Sequence, residues 1–174
     1  MSFFNIGYTI EDSTFGRTLI AAVPQGVCAV LFGKDDDKLI EEAKELFPTY
    51  YKLVEITDAT DKLNILIIIS RFISNHNTNT KHGVCVAFCN GTLFQKKVWH
   101  ALLDLPAGQT ITYAKLAEYI GYPKAIRAVA SACGKNPVSI LAPCHRVVPK
   151  NGGIGKYRWG TLMKQQLLNR EQGS

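Results

Sequence analysis

Apolar and polar positions along the chain change their period several times, and each change marks an element. From Phe15 to Val23 and again from Val27 to Phe32 the residues are mostly apolar and strand-like. Pro24-Gln25-Gly26 joins the two runs, and a proline–glycine turn between apolar runs predicts a hairpin. Asp35-Asp36-Asp37 then opens a helix, since carboxylates favour the positive end of the helix dipole. Leu39, Ile40, Ala43, Leu46 and Phe47 give that helix its apolar face, and Pro48 follows its end. A further helix is expected from about Thr60 to Ser74, followed by a polar linker over Asn75–Lys81. Gly83 to Cys89 reads as a buried strand.

Beyond residue 90 the pattern is mostly helical. Phe94, Val98, Trp99 and Leu102 predict a helix over Thr92–Leu103, broken by Pro106-Ala107-Gly108. A short helix over Tyr113–Ile120 leads into a turn at Gly121-Tyr122. Pro123 then suits the first turn of a helix running to Cys133, which stops at Gly134 ahead of Asn136-Pro137. Two short helices around a glycine turn predict a helix-turn-helix. In the second of them Ile126, Val129, Ala130 and Cys133 are expected to face inward. Ala125, Ala128, Ser131 and Ala132 are expected outward, with Arg127 alone among them. Small side chains allow close approach to a groove, although a solvated helix face has the same pattern. A last helix is expected from about Gly160 to Arg170. These elements divide the chain into an α/β unit over residues 1–80 and a mostly helical unit over residues 81–174.

Charge sharpens this division. Residues 1–90 hold 8 Lys/Arg against 11 Asp/Glu, and residues 91–174 hold 12 against 3. A strongly basic half beside a mildly acidic one points to a polyanion, nucleic acid first. No apolar run approaches the roughly 20 residues needed to span a bilayer, and the first twenty residues do not read as a secretory signal. The five cysteines are odd in number and irregular in spacing, which suits reduced thiols in a cytoplasmic setting. Cys85 and Cys89 near His82 raise zinc as one reading. A buried strand with cysteines packed as small hydrophobes is the other, and the one favoured.

The sharpest chemistry lies in Pro143-Cys144-His145-Arg146-Val147-Val148. A base or a positive charge beside a cysteine makes its thiolate accessible. Side chains adjacent in sequence point apart in regular structure, so a turn or a bridging water is needed between Cys144 and His145. Taken by itself, the pair also fits a cysteine hydrolase, or a buried thiol beside a surface histidine.

Several stretches together carry a resemblance. They are Pro106-Ala107-Gly108 ahead of Tyr113, Pro123-Lys124-Ala125-Ile126-Arg127-Ala128-Val129-Ala130, Asn136-Pro137, Pro143-Cys144-His145-Arg146, Tyr157-Arg158-Trp159-Gly160 and Gln166-Leu167-Leu168-Asn169-Arg170-Glu171. In combination they resemble the O6-alkylguanine-DNA alkyltransferases (methylated-DNA–protein-cysteine methyltransferases), most closely the C-terminal half of the bacterial Ada protein. The resemblance implies a ribonuclease H-like N-terminal unit. It also implies DNA repair by direct, irreversible, one-for-one transfer of an alkyl group from O6-alkylguanine, with O4-alkylthymine a further candidate, to Cys144. By the same resemblance His145, oriented by Glu171, takes the thiol proton through a water. Tyr113 protonates the departing base, Lys164 supports the region, and Asn136 braces the helix-turn-helix against the reactive segment. Arg127 fills the gap left by a flipped nucleotide. Tyr113, Ala114, Tyr122, Ala125 and Lys150 contact the DNA backbone, and the loop over Gly152–Gly160 walls the pocket. The partner implied is double-stranded DNA carrying the lesion. No cofactor, no structural zinc and no membrane association are expected, and a monomer is.

Overall fold

The computed structural model describes residues 4–57 and 84–172. The helix expected over Thr60–Ser74, the linker over Asn75–Lys81 and His82 lie outside the described residues.

A four-stranded sheet forms the first half. Its strands are β1 (Phe4–Ser13), β2 (Gly16–Val23), β3 (Gly26–Gly33) and β4 (Tyr51–Glu55), in the order β3-β2-β1-β4. The hairpin foreseen from Pro24-Gln25-Gly26 is β2–β3, paired antiparallel. β1 and β4 were not foreseen, although Phe4, Ile6, Tyr8 and Ile10 alternate in β1 as one strand face requires. The helix α1 (Asp36–Leu46) starts where the three aspartates place it, with the Asp35 carboxylate accepting from Lys38 N.

Alternation along the strands gives the sheet two working faces. Leu19, Ala21, Ala29 and Leu31 pack with Leu39 and Ala43 of α1. Ile20, Val30 and Phe32 point the other way and pack with Val138, Ile140 and Leu141. That second face backs the segment that carries Cys144.

The outer edge of β3 is shared between two later segments. Val27 bridges Val86, and Val30 bridges Val138. The bare backbone of Gly26 permits the first approach, because a Cβ there would collide with the Cys85 carbonyl. This sharing corrects the expectation of a buried strand over Gly83–Cys89. Val138 occupies the edge that a longer strand would need, so 84–89 makes a single bridge, Cys85 is exposed and Cys89 half-buried.

The second half holds α2 (Leu93–Leu103), α3 (Tyr113–Tyr119), α4 (Ile126–Gly134) and α5 (Thr161–Gln172). Two short strands, β5 (Ile111–Thr112) and β6 (Val147–Val148), pair in parallel. Thr92 caps α2 in a reciprocal box with Gln95, each side chain meeting the other's backbone N–H. α4 departs from expectation twice. It begins at Ile126 rather than Pro123, because Ala125 N closes a turn onto Tyr122 O at 2.8 Å before the helix starts. It is also rotated. Ile126 is 41% exposed, whereas Ala132, expected outward, is buried. The buried positions of the helix are Val129, Ala132 and Cys133. Periodicity missed Ala132 because alanine is neutral between inside and outside.

Trp99 fixes that rotation by donating from Nε1 to Ala132 O at 2.8 Å inside the core. Trp99→Phe removes one of that carbonyl's two donors, with Lys135 N remaining at 3.1 Å, and takes ring volume out of the core. A loss of about 1–3 kcal/mol in urea-unfolding free energy is expected, and an unchanged midpoint would show that the bond does not hold α4 in place.

Candidate active site

The chain after α4 is held by one carboxamide. Asn136, itself buried, donates from Nδ2 to Ala142 O at 2.7 Å and to Cys144 Sγ at 3.3 Å. Its Oδ1 accepts from Val138 N at 3.0 Å. Val30 N of β3 donates to Pro137 O at 2.9 Å and pins the same stretch to the sheet. Within it Ile140 adopts φ 71°, making it the only residue besides glycines with positive φ among the described residues. A β-branched residue there costs on the order of 1–3 kcal/mol, and the buried isoleucine side chain offsets part of this.

Cys144, His145 and Arg146 then form one 3-10 turn following Pro143. The turn separates the side chains as adjacent positions require. Cys144 Sγ faces Asn136, while His145 Nε2 lies 2.8 Å from Glu171 Oε1 on α5. His145 Nδ1 is buried and has no hydrogen-bond partner among the described residues. Arg146 joins Glu171 through Nε, at 3.0 Å to Oε2, and through a terminal nitrogen at 2.8 Å to Oε1. Its other terminal nitrogen donates to Leu105 O, and Gly108 N donates to Glu171 Oε2 at 3.3 Å. Lys164 on α5 is fully buried and donates to Val147 O at 2.7 Å.

These surroundings set the protonation states. Burial pushes the Cys144 thiol up, against the opposing Asn136 hydrogen bond and the nearby Lys164 and Arg158 charges. The resting group is therefore a thiol, and attack requires a base. Burial pulls His145 down further than Glu171 raises it, so its imidazole is neutral and can accept a proton. Glu171 is held down to about 2, because His145 and Arg146 favour its charge more than burial penalises it. Burial lowers Lys164, with the Cys144 charge opposing. Tyr113, first residue of α3, is raised to about 12, by burial first and then by the charge of Cys133 and Cys144. It is a hydrogen-bond donor at neutral pH.

The structure thus brings Cys144, Asn136, His145, Glu171 and Lys164 together, with Tyr113 packed beside them. Tyr122 and Arg127 are exposed at the α3–α4 turn and on α4, and Ala114 and Ala125 are half-buried. Lys150 is exposed in the loop after β6. Cys133 is buried and packs in the core, as its inward position suggested.

Two roles were missed in the sequence. Arg146, read there only as positive potential, neutralises Glu171. Tyr157 has its hydroxyl buried without a hydrogen-bond partner among the described residues, and burial followed by the Cys144 charge raises it well up. Next to it Trp159 donates to Ser139 Oγ at 2.6 Å and meets Phe32 edge-on, while Arg158 stacks on Trp159 and pairs with Glu42 of α1. The loop is thereby anchored to the sheet. The stretches that hold these residues are recognisable in the sequence, but their contacts are not, since each depends on partners far along the chain.

The family model described as "6-O-methylguanine DNA methyltransferase, DNA binding domain" matches residues 93–173. The chain is 40% identical over 166 residues to the bifunctional transcriptional activator/DNA repair enzyme Ada of Escherichia coli, covering 95% of this chain and 45% of that protein. It is 32% identical to the methylated-DNA–protein-cysteine methyltransferase of Debaryomyces hansenii, covering 95% of this chain and 90% of the relative. It therefore spans about half the length of the Ada relatives and nearly all of the yeast one. Among solved structures, Mycobacterium tuberculosis OGT in complex with DNA superposes with a TM-score of 0.70 at 30% identity, over 96% of this chain and 93% of that one. No helix among the described residues is long and apolar enough to cross a membrane.

Glu171 gives a pH signature. Unfolded, its carboxyl titrates near the ordinary 4.5, and folded near 2. Its contribution to stability is complete above 4.5 and is lost as pH falls from there towards 2. Glu171→Gln is expected to cost about 3–5 kcal/mol at neutral pH, by removing the buried carboxylate that pairs with Arg146, and to flatten the acid limb of the stability curve. Urea unfolding across that range measures both, and an acid limb as steep as wild type would contradict the assignment.

Proposed function

Because the chain belongs to the methylated-DNA–protein-cysteine methyltransferase family, we propose that it repairs double-stranded DNA by taking the alkyl group of O6-alkylguanine onto Cys144. The observation that carries the reading is the buried Cys144 thiol held by Asn136, beside a neutral His145 whose Nε2 is fixed by Glu171.

The step is a displacement at an alkyl carbon. Cys144 Sγ forms the S–C bond as the C–O6 bond breaks. The thiol proton passes through a water to His145 Nδ1, the nitrogen left without a protein partner. Glu171 stabilises the imidazolium that results. Tyr113 donates a proton to the guanine ring, so that the base departs neutral. The product is a thioether, which water does not readily cleave, so each molecule reacts once. Since the protein itself is the acceptor, the reaction needs no cofactor.

O6 lies inside the duplex, and Cys144 is only 7% exposed. The nucleotide must therefore leave the stack, at a cost of a few kcal/mol. Arg127, exposed on α4, fills the gap and offsets part of that cost. In this reading α3 and α4 act as a helix-turn-helix, with Tyr113, Ala114, Tyr122, Ala125 and Lys150 along the DNA backbone. The ribonuclease H-like assignment of the first half, its division from the second near residue 80, a monomeric state and a cytoplasmic site of action belong to the same proposal.

Incubation with duplex DNA carrying radiolabelled O6-methylguanine tests it. One label per protein molecule on Cys144, and none on Cys144→Ala, is the expected result. Label that stays on bound DNA leaves only lesion recognition, and repeated turnover points to a hydrolase; either outcome sinks the proposal. Arg127→Ala is expected to slow repair of the duplex about ten-fold or more, a barrier change of ~1.4 kcal/mol, with reaction of the free alkylated base nearly unchanged. Equal losses on both substrates would refute its part in flipping.

A further inference from the structure

Lys97 takes no part in the site above, yet its position is defined. It is exposed on α2, and its Nζ lies 4.9 Å from the centre of the Tyr122 ring. Phe94, one turn earlier on α2, meets the same ring edge-on, with centroids 5.5 Å apart at 81°. Tyr122 is thus held at the α3–α4 turn by two α2 residues while remaining 46% exposed. Stacking on the ring narrows the conformations open to the lysine without neutralising its charge. α2 contains no acidic residue, and among the described residues no carboxylate pairs with Lys97. Lys124 and Arg127, both exposed, follow within five residues of Tyr122. Three exposed cations on or beside this turn, none of them in an ion pair among the described residues, suit a polyanion laid across them.

Resting on the DNA reading above, we propose that Lys97, carried on the Tyr122 ring, binds a phosphate of the DNA backbone. The DNA-binding surface then reaches from the α3–α4 turn onto the first turns of α2. An ammonium meets phosphate as a point charge and needs no fixed orientation beyond its location. The contact is blind to sequence and to the lesion, so it acts on undamaged duplex as well.

The test is the salt dependence of binding to an undamaged duplex, from about 0.05 to 0.2 M salt. Each phosphate neutralised contributes about 0.9 to the slope of log affinity against log salt. Lys97→Ala is expected to reduce the slope by about 0.9 and to weaken binding about five- to ten-fold near 0.1 M salt. Lys97→Arg is expected to keep both values. Lys44→Ala, on the exposed side of α1, should change neither, and all three variants should melt at the wild-type temperature. A wild-type slope in Lys97→Ala overturns this inference while leaving the DNA reading intact. A wild-type protein that fails to bind duplex at all overturns the DNA reading itself, and this inference with it.

Discussion

The charge on Glu171 organises the second half of the molecule. A carboxylate buried this deeply survives only if its neighbours replace the water it has lost. Arg146, His145 and Gly108 N do so, and they come from the reactive turn and from the loop after α2. Because the carboxylate sits near the end of α5, it ties that helix to both places at once. The same contact that makes burial tolerable also fixes the imidazole ring, leaving its second nitrogen available. Stability and the proposed proton transfer therefore rest on a single side chain, and neither can be altered without the other.

A second constraint acts from the sheet. Val138, Ile140 and Leu141 are packed on Ile20, Val30 and Phe32, and backbone hydrogen bonds add registry to this packing. The unfavourable φ at Ile140 is maintained because both ends of its segment are fixed, by Asn136 on one side and by β3 at Val30 on the other. The thiol is thus aimed by a rigid frame. The residues proposed to face DNA at the α3–α4 turn lie on the surface and depend on much lighter contacts, such as the ring of Tyr122 between Phe94 and Lys97.

Much of this was legible in the sequence, for reasons that differ by element. α1 and α2 announce themselves because caps and apolar period agree, at Asp35 and at Thr92. The reactive turn was legible from Pro143-Cys144-His145-Arg146 and the stretches around it. β1 was passed over although its alternation is regular, and the strand expected at Gly83–Cys89 failed because an apolar run does not reveal who else claims the neighbouring edge. The rotation of α4 was hidden by its alanines. The partners of Arg146 and Tyr157 were out of reach, since they depend on which distant segments the fold brings together.

The bridge between Val30 and Val138 has one more consequence. The match to the DNA-binding domain model begins at residue 93, yet the apolar support of the thiol-bearing segment is supplied from residues 20–32. The limit of that matched segment and the limit of the packing behind Cys144 do not coincide. A fragment cut at the first would keep Cys144 and expose the apolar surface that β2 and β3 now cover. The frame that holds the thiol in this chain is thus larger than the segment that bears it.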